Sequence, residues 1–196
     1  VSLGRQRDLP ERIRERLRER TPRLQTEWAA RPAAVLLPLY SQNLAWHLLF
    51  TRRTESVESH RGQVSFPGGQ VEDGDLNVQS AALREAWEEI GLRPQDVQIL
   101  GQLDPMLTVT QFMITPVVGL IPWPYELHIQ PLEVARLFGV PLAWLRDPDN
   151  LATEYRKPMI PGPEIPVHYF KPYDGETIWG VTARITLDFL KLIQET

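Results

Sequence analysis

The sequence predicts an α/β (α+β) domain: a mixed β-sheet sandwiched between helices, with an extra helical arm at the N-terminus. Three observations carry that reading. Short apolar runs bounded by turn residues recur along the chain. Two amphipathic helical segments, 76–90 and 178–193, lie far apart among and after those runs. The order of strands and helices is not a regular βαβ alternation, which favours a mixed sheet with helices on both faces.

The arm, residues 1–32, comes first. Ile13, Leu17, Leu24 and Trp28 recur at near-helical spacing. Glu11 with Arg14, Glu15 with Arg18, and Glu19 with Arg23 can pair on the polar side, and Pro22 breaks or restarts the helix. Such a helix packs on its own domain or on a second subunit, as in a homodimer. The domain proper is expected over 33–196. "AAVLLPLY" and "LAWHLLFTRR" read as two strands joined by the turn "SQN" at 41–43. A polar loop leads to "GQVSFPGG", a short strand running into a Pro-Gly-Gly turn. The next helix starts near Leu76 and ends at Ile90, with Gly91 as its stop. "DVQILGQLD" and "MITPVVGLIPW" look like strands, and 131–139 like a short helix leading into "VPLAWL". A proline-rich stretch, 158–166, precedes the strand-like "VHYF", and "IWGVTARITLDFLKLI" closes the chain as an amphipathic helix.

Composition narrows the function classes. At 196 residues, 42% hydrophobic and 23% charged, the chain suits one domain with a sizeable core. It has no cysteine, which excludes disulfides and thiolate metal sites. The longest apolar runs, 33–40 and 112–123, are too short to cross a bilayer, so no membrane partner is expected. With no secretory signal in view, a cytoplasmic location is expected. Residues 1–32 carry nine arginines against five acids, whereas the remainder has 12 basic and 20 acidic residues. So acidic a body is a poor nucleic-acid binder.

The chemistry concentrates at "LREAWEEIGL", 83–92. At about 100° per residue, Ala82, Leu83, Ala86, Trp87 and Ile90 share one face, and Glu85, Glu88 and Glu89 gather on the other. Taken alone, a glutamate-rich face is usually solvated surface, and Arg84 can pair with Glu88. "FPGG" just upstream changes the balance, because adjacent glycines allow close backbone approach. A glycine segment leading to clustered carboxylates offers hard oxygen ligands, which suit Mg²⁺ or Mn²⁺ and a phosphate-bearing substrate. No P-loop or dinucleotide-binding glycine pattern is present.

"GGQVEDGDLNVQSAALREAWEEIGL" resembles the Nudix box, G-x5-E-x7-R-E-U-x-E-E-x-G-U with U aliphatic. Arg84, Glu85, Glu88, Glu89, Gly91 and Leu92 match its second half in register. The first half departs from the pattern. Fourteen residues rather than thirteen separate Gly69 from Arg84, Leu76 stands where the box has a glutamate, and Asp75 is the nearest acid. That expansion is similar to the coenzyme A pyrophosphatase branch, which tends to read GGK-x-D-x-x-D; here the positions are Gly68, Gly69, Gln70, Glu72 and Asp75. The upstream "LLFTRRTESVESHRGQVSFPGG" resembles a second motif of that branch. Thr51, Arg53, Gly62, Phe66, Pro67, Gly68 and Gly69 match it, Glu58 replaces its middle arginine, and Arg61 is the nearby substitute. The likeness extends over about residues 33–193.

The resemblance implies a Nudix fold and metal-dependent hydrolysis of a nucleoside diphosphate derivative. It implies that Glu85 and Glu89 bind Mg²⁺ or Mn²⁺, with Glu88 as a further ligand or neighbour and Arg84 orienting a glutamate. Glu133 is a candidate general base; otherwise it is an acid at the start of a helix. Coenzyme A would yield 4′-phosphopantetheine and adenosine 3′,5′-bisphosphate. Arg52, Arg53, Arg61, Lys157 and Lys171 are the basic candidates for its 3′-phosphate, and Gly68 and Gly69 the backbone beside the substrate. His60 and His168 are candidate phosphate donors; Trp123, Tyr125, Tyr169 and Tyr173 are candidate adenine platforms or core residues. Two alternatives stand beside this reading: a Nudix hydrolase of another nucleotide, favoured by Glu58 and Gln70, and a binding module without catalysis.

Overall fold

The computed structural model describes residues 8–20, 30–55, 62–157 and 163–194. Leu24, Trp28, Glu58, His60 and Arg61 lie outside them. The first helix, α1 (Leu9–Glu19), is followed by β1 (Arg31–Gln42), β2 (Ala45–Arg53), β3 (Val64–Ser65), β4 (Gly68–Gln70) and the long helix α2 (Val78–Ile90). Then come β5 (Gln98–Gln102), β6 (Met106–Leu107), β7 (Phe112–Leu120), β8 (Val134–Pro141) and a single turn of helix, α3 (Leu142–Leu145). The hairpin β9 (Leu151–Arg156) and β10 (Ile165–Phe170) precedes the closing helix α4 (Gly180–Gln194).

Eight strands form one mixed sheet, β3-β2-β1-β7-β5, with β4 against β1, β6 against β7 and β8 against β2. β1 and β7 run parallel over nine residue pairs; the other neighbours are antiparallel. β1 and β2 meet through a two-residue turn in which Asn43 and Leu44 both have positive φ, the twist that suits a hairpin. The turn therefore sits two residues later than expected, and Ser41 and Gln42 belong to β1. The two strands stay paired only over Leu39–Gln42 and Ala45–Leu48, then part. The widening gap is filled by β4 on β1 and β3 on β2. The expected Pro-Gly-Gly turn is thus a strand: Gly68 and Gly69 pair with Val35 and Ala34, and Leu36 N–H donates to the Pro67 carbonyl at 2.8 Å.

Alternation along β1 sends Leu37 and Leu39 to one core, under α1 and α4, and Ala34, Leu36 and Tyr40 to the other, under α2. Helices on both faces, as expected, sandwich the sheet. The helix expected at 131–139 is instead β8. The outer edge of β2 needs a partner, and neighbouring Leu137 and Phe138 face opposite cores, which is a period of two and not of 3.6. β9 was absent from the expectation; five of its six residues are exposed, so it carries no apolar alternation to read.

α1 packs on its own domain, one of the two placements expected for it. Leu9, Ile13 and Leu17 are buried in the same core as Phe189 and Leu192 of α4. A Cβ on Gly101 would stand 2.7 Å from Leu17 Cβ, and Gly101 has φ +147, so glycine in β5 lets the helix seat. No helix among the described residues is long and apolar enough to cross a membrane. Ile13→Ala is expected to lower the unfolding free energy by about 2–5 kcal/mol. Chemical denaturation reads this directly, and an unchanged midpoint would show that α1 adds nothing to the core.

Candidate active site

The central helix of the site is fixed locally at both ends. Asn77 caps α2, its Oδ1 accepting from Gln79 N at 2.9 Å and Ser80 N at 3.0 Å, while Ser80 Oγ accepts from Asn77 N at 3.0 Å. Leu76, just outside, is exposed. Gly91 ends the helix at φ 68, where its N–H reaches the Trp87 carbonyl and Leu92 N–H the Ala86 carbonyl.

Ala81, Ala82, Ala86 and Ile90 are buried against the sheet, and the small size of the three alanines lets α2 lie close. Two residues exchange places relative to the expected faces. Trp87 is half exposed, whereas Glu89 is only 3% exposed. Helical geometry accounts for this: Glu89 stands about 60° around the axis from Ala86, and Trp87 about 100° on the opposite side. The helix therefore meets the sheet with its acidic flank turned towards β4.

There the glycines matter. A Cβ on Gly69 would lie 2.3 Å from Glu85 Oε1, so Glu85 occupies the space of a missing side chain. Gly68 N–H donates to Glu89 Oε2 at 3.3 Å, and Arg53 Nη1 reaches Glu89 Oε1 at 3.3 Å. Burial pushes Glu89 up to about 8; Arg53 opposes that shift, while Glu85 and Glu133 reinforce it. Burial also raises Glu85, against the pull of Arg84 and with the help of Glu88 and Glu133. Two acids raised by desolvation and by neighbouring carboxylates suit a divalent cation bound through hard oxygens. Among the described residues, no three His, Asp or Glu side chains gather as a ready cation cluster. Glu85 and Glu89 are the two carboxylates that α2 turns towards β4. Glu88 is not brought in with them: it is 54% exposed and bonded to Arg84 at 3.0 Å.

Arg84 has every donor engaged within the protein. Nε and Nη2 fork onto Asp75 at 3.1 Å each, Nη1 reaches Glu85 and Glu88 at 3.0 Å each, and Nη2 also reaches the Gln70 carbonyl at 3.0 Å. Five N–H groups serve five acceptors. Asp75, noted in the sequence only as the nearest acid, is held well below the usual carboxylate range by Arg84.

The basic candidates separate. Arg53 joins the carboxylates, and its Nε is buried without a hydrogen-bond partner. Arg52, one residue earlier on β2, points to the other face, where it pairs with Glu55 at 3.3 Å and Glu176 at 3.7 Å. Arg52 is thus turned away from Glu85 and Glu89, and Arg61 lies outside the described residues. Glu133 lies in the turn before β8, so it is not a helix-start acid; it is exposed yet close enough to act on both buried glutamates. Lys157 and Lys171 are exposed. His168 is bonded to Thr153, Trp123 stacks on Tyr40, Tyr125 donates to Asp96, Tyr169 stacks on Trp179, and Tyr173 packs edge-on to Trp144. Gly69→Ala is expected to displace Glu85 and lower turnover by about 100-fold, since a misplacement of about 1 Å costs that much. Steady-state assays on the folded variant decide it, and activity within twofold of the parent would show that Glu85 need not approach β4.

A profile of the NUDIX domain matches residues 30–161. An uncharacterized Nudix hydrolase, NudL, of Photorhabdus laumondii is 39% identical over 164 residues, covering 84% of this chain and 86% of the relative. Its namesake in Pectobacterium atrosepticum is 39% identical over 166 residues, covering 84% and 83%. Among solved structures, a MutT/nudix family protein from Enterococcus faecalis superposes with a TM-score of 0.53 at 13% identity, over 96% of this chain and 73% of that one, a likeness of fold. By sequence, and with the sheet and acidic helix in agreement, the chain belongs to the Nudix family and is a Nudix pyrophosphohydrolase.

Proposed function

We propose that the enzyme hydrolyses the pyrophosphate bond of coenzyme A, giving 4′-phosphopantetheine and adenosine 3′,5′-bisphosphate, and that it acts in the cytoplasm. The observation that carries the hydrolytic part is the pair Glu85 and Glu89, held against the side-chain-free edge of Gly68 and Gly69. These two residues would hold an Mg²⁺ or Mn²⁺ ion, which would supply neutralisation of phosphate oxygens and activation of water. Arg84 fixes Glu85, Arg53 balances the charge of Glu89, and the Gly68–Gly69 backbone lets Glu85 approach β4. Glu133, solvent-facing beside the pair, is the candidate base. The coenzyme A assignment rests on the expanded glycine loop and on the Gly62-to-Gly69 motif. Arg53 supports it with one buried donor not yet used.

A second reading, hydrolysis of another nucleoside diphosphate derivative, is favoured by one observation. Arg52 is committed to Glu55 and Glu176 on the far face, so it offers nothing to a 3′-phosphate. Coenzyme A is expected to show kcat/KM at least about tenfold above its 3′-dephospho form, the worth of one charge-assisted contact. Equal values, or faster cleavage of ADP-ribose, would select the second reading.

Metal dependence has a pH signature. Glu89 has a folded-state pKa of about 8 against an ordinary 4.5, so its contribution to stability is fully present below about pH 4.5 and is lost as pH rises through 8. With chelator, the thermal midpoint should fall across that window and hydrolysis should cease. Mg²⁺ or Mn²⁺ should restore activity and flatten the fall, because the cation replaces the proton. Full activity after exhaustive chelation would remove the metal from the mechanism, and a Glu89→Gln variant with the same pH dependence would remove Glu89 from the effect.

A further inference from the structure

We infer that Asp75 is a positioning residue for hydrolysis: by forking Arg84 it sets where Glu85 stands, a task that the glycine loop of this chain assigns to an aspartate nine positions before the arginine.

Asp75 is itself locked. Its side chain is 5% exposed, Oδ2 accepts from Glu72 N–H at 2.9 Å, and Asp75 N–H donates to the Glu72 carbonyl at 3.0 Å. A four-residue turn thus presents both carboxylate oxygens in one plane to Nε and Nη2. A fork of this kind fixes the guanidinium in rotation as well as in position. Nη1, on the far corner, then has one direction for Glu85 and one for Glu88. Because all five donors are engaged, Arg84 cannot turn towards substrate without breaking a bond. Leu76, the residue at the glutamate position of the usual box, is 92% exposed and takes no part. The extra loop residue and the shorter acid compensate each other: the acid starts one position earlier, and the turn at Glu72 carries it back to the arginine.

The inference rests on the enzyme being a pyrophosphohydrolase, not on which substrate it prefers. Any pyrophosphate it cleaves serves the test, so failure of the coenzyme A reading leaves the test intact. Asp75→Asn keeps the oxygen that the turn requires and removes one arm of the fork. It is expected to lower kcat about 10–100-fold, the usual cost of losing a ligand's supporting partner, with KM within about twofold. Mn²⁺ binding without substrate, measured by calorimetry, should weaken by a similar factor while the thermal midpoint stays within a few degrees. Asp75→Glu, which retains two oxygens, should recover kcat to within about fivefold of the parent, and it decides the matter if Asp75→Asn does not fold. Adding Arg84→Lys to Asp75→Asn should cost little more than either change alone. Unchanged kcat in Asp75→Asn would overturn the inference. So would an Asp75→Glu variant no better than Asp75→Asn, or losses that multiply in the double variant.

Discussion

Glu85 stands in space that any residue but glycine at position 69 would fill, and the rest of the site follows from that contact. An acidic side chain normally keeps its helix away from a sheet, because burying it unpaired is unfavourable by several kcal/mol. Here α2 comes close because its contact residues are alanines and its opposite number, β4, has no side chains where the acids arrive. β4 can be there only because β1 and β2 part after four residue pairs. Divergence of two strands, insertion of a glycine edge and approach of an acidic helix are one steric arrangement.

Electrostatics then has to make that arrangement tolerable. Each buried glutamate has its own arginine: Glu85 has Arg84 from its own helix, and Glu89 has Arg53 from the end of β2. The two partnerships differ in kind. Arg84 is saturated by protein acceptors, so it acts as a fixed strut. Arg53 is half-committed, with its Nε lacking a partner. A strut preserves geometry through a reaction cycle, whereas a half-committed cation can take up negative charge that arrives with substrate.

Much of this was legible in the sequence where local signals agree. Helix α2 announces itself by period and by Gly91 at its end, while its start, expected near Leu76, is set by the Asn77 cap. The first hairpin and the closing helix are similarly plain. Reading failed where a tertiary partner decides. "EVARLFG" has helix-forming composition, yet the open edge of β2 draws it into a strand. Pro-Gly-Gly looks like a turn until β1 offers it a ladder. Arg52 and Arg53 stand side by side as basic candidates, although strand alternation sends neighbours to opposite faces. Trp87 was placed inside by hydrophobicity and Glu89 outside by charge. The contact face follows the small residues Ala81, Ala82 and Ala86, and centring the helix on them brings Glu89 in and turns Trp87 out.

The parallel pairing of β1 with β7 has a consequence for how the chain comes to be folded at all. Each of the nine β1 residues from Arg31 to Leu39 pairs with one 81 positions later. At synthesis rates of about 5–20 residues per second, that separation amounts to roughly 4–16 s. Through that interval the strand that forms the middle of the finished sheet is an edge, with unpaired amides and an apolar flank open to other chains. Contacts of such sequence separation also slow spontaneous folding, because loop closure must precede any gain from them. The nascent protein therefore passes its most aggregation-prone period before β7 emerges to cover the open edge of β1.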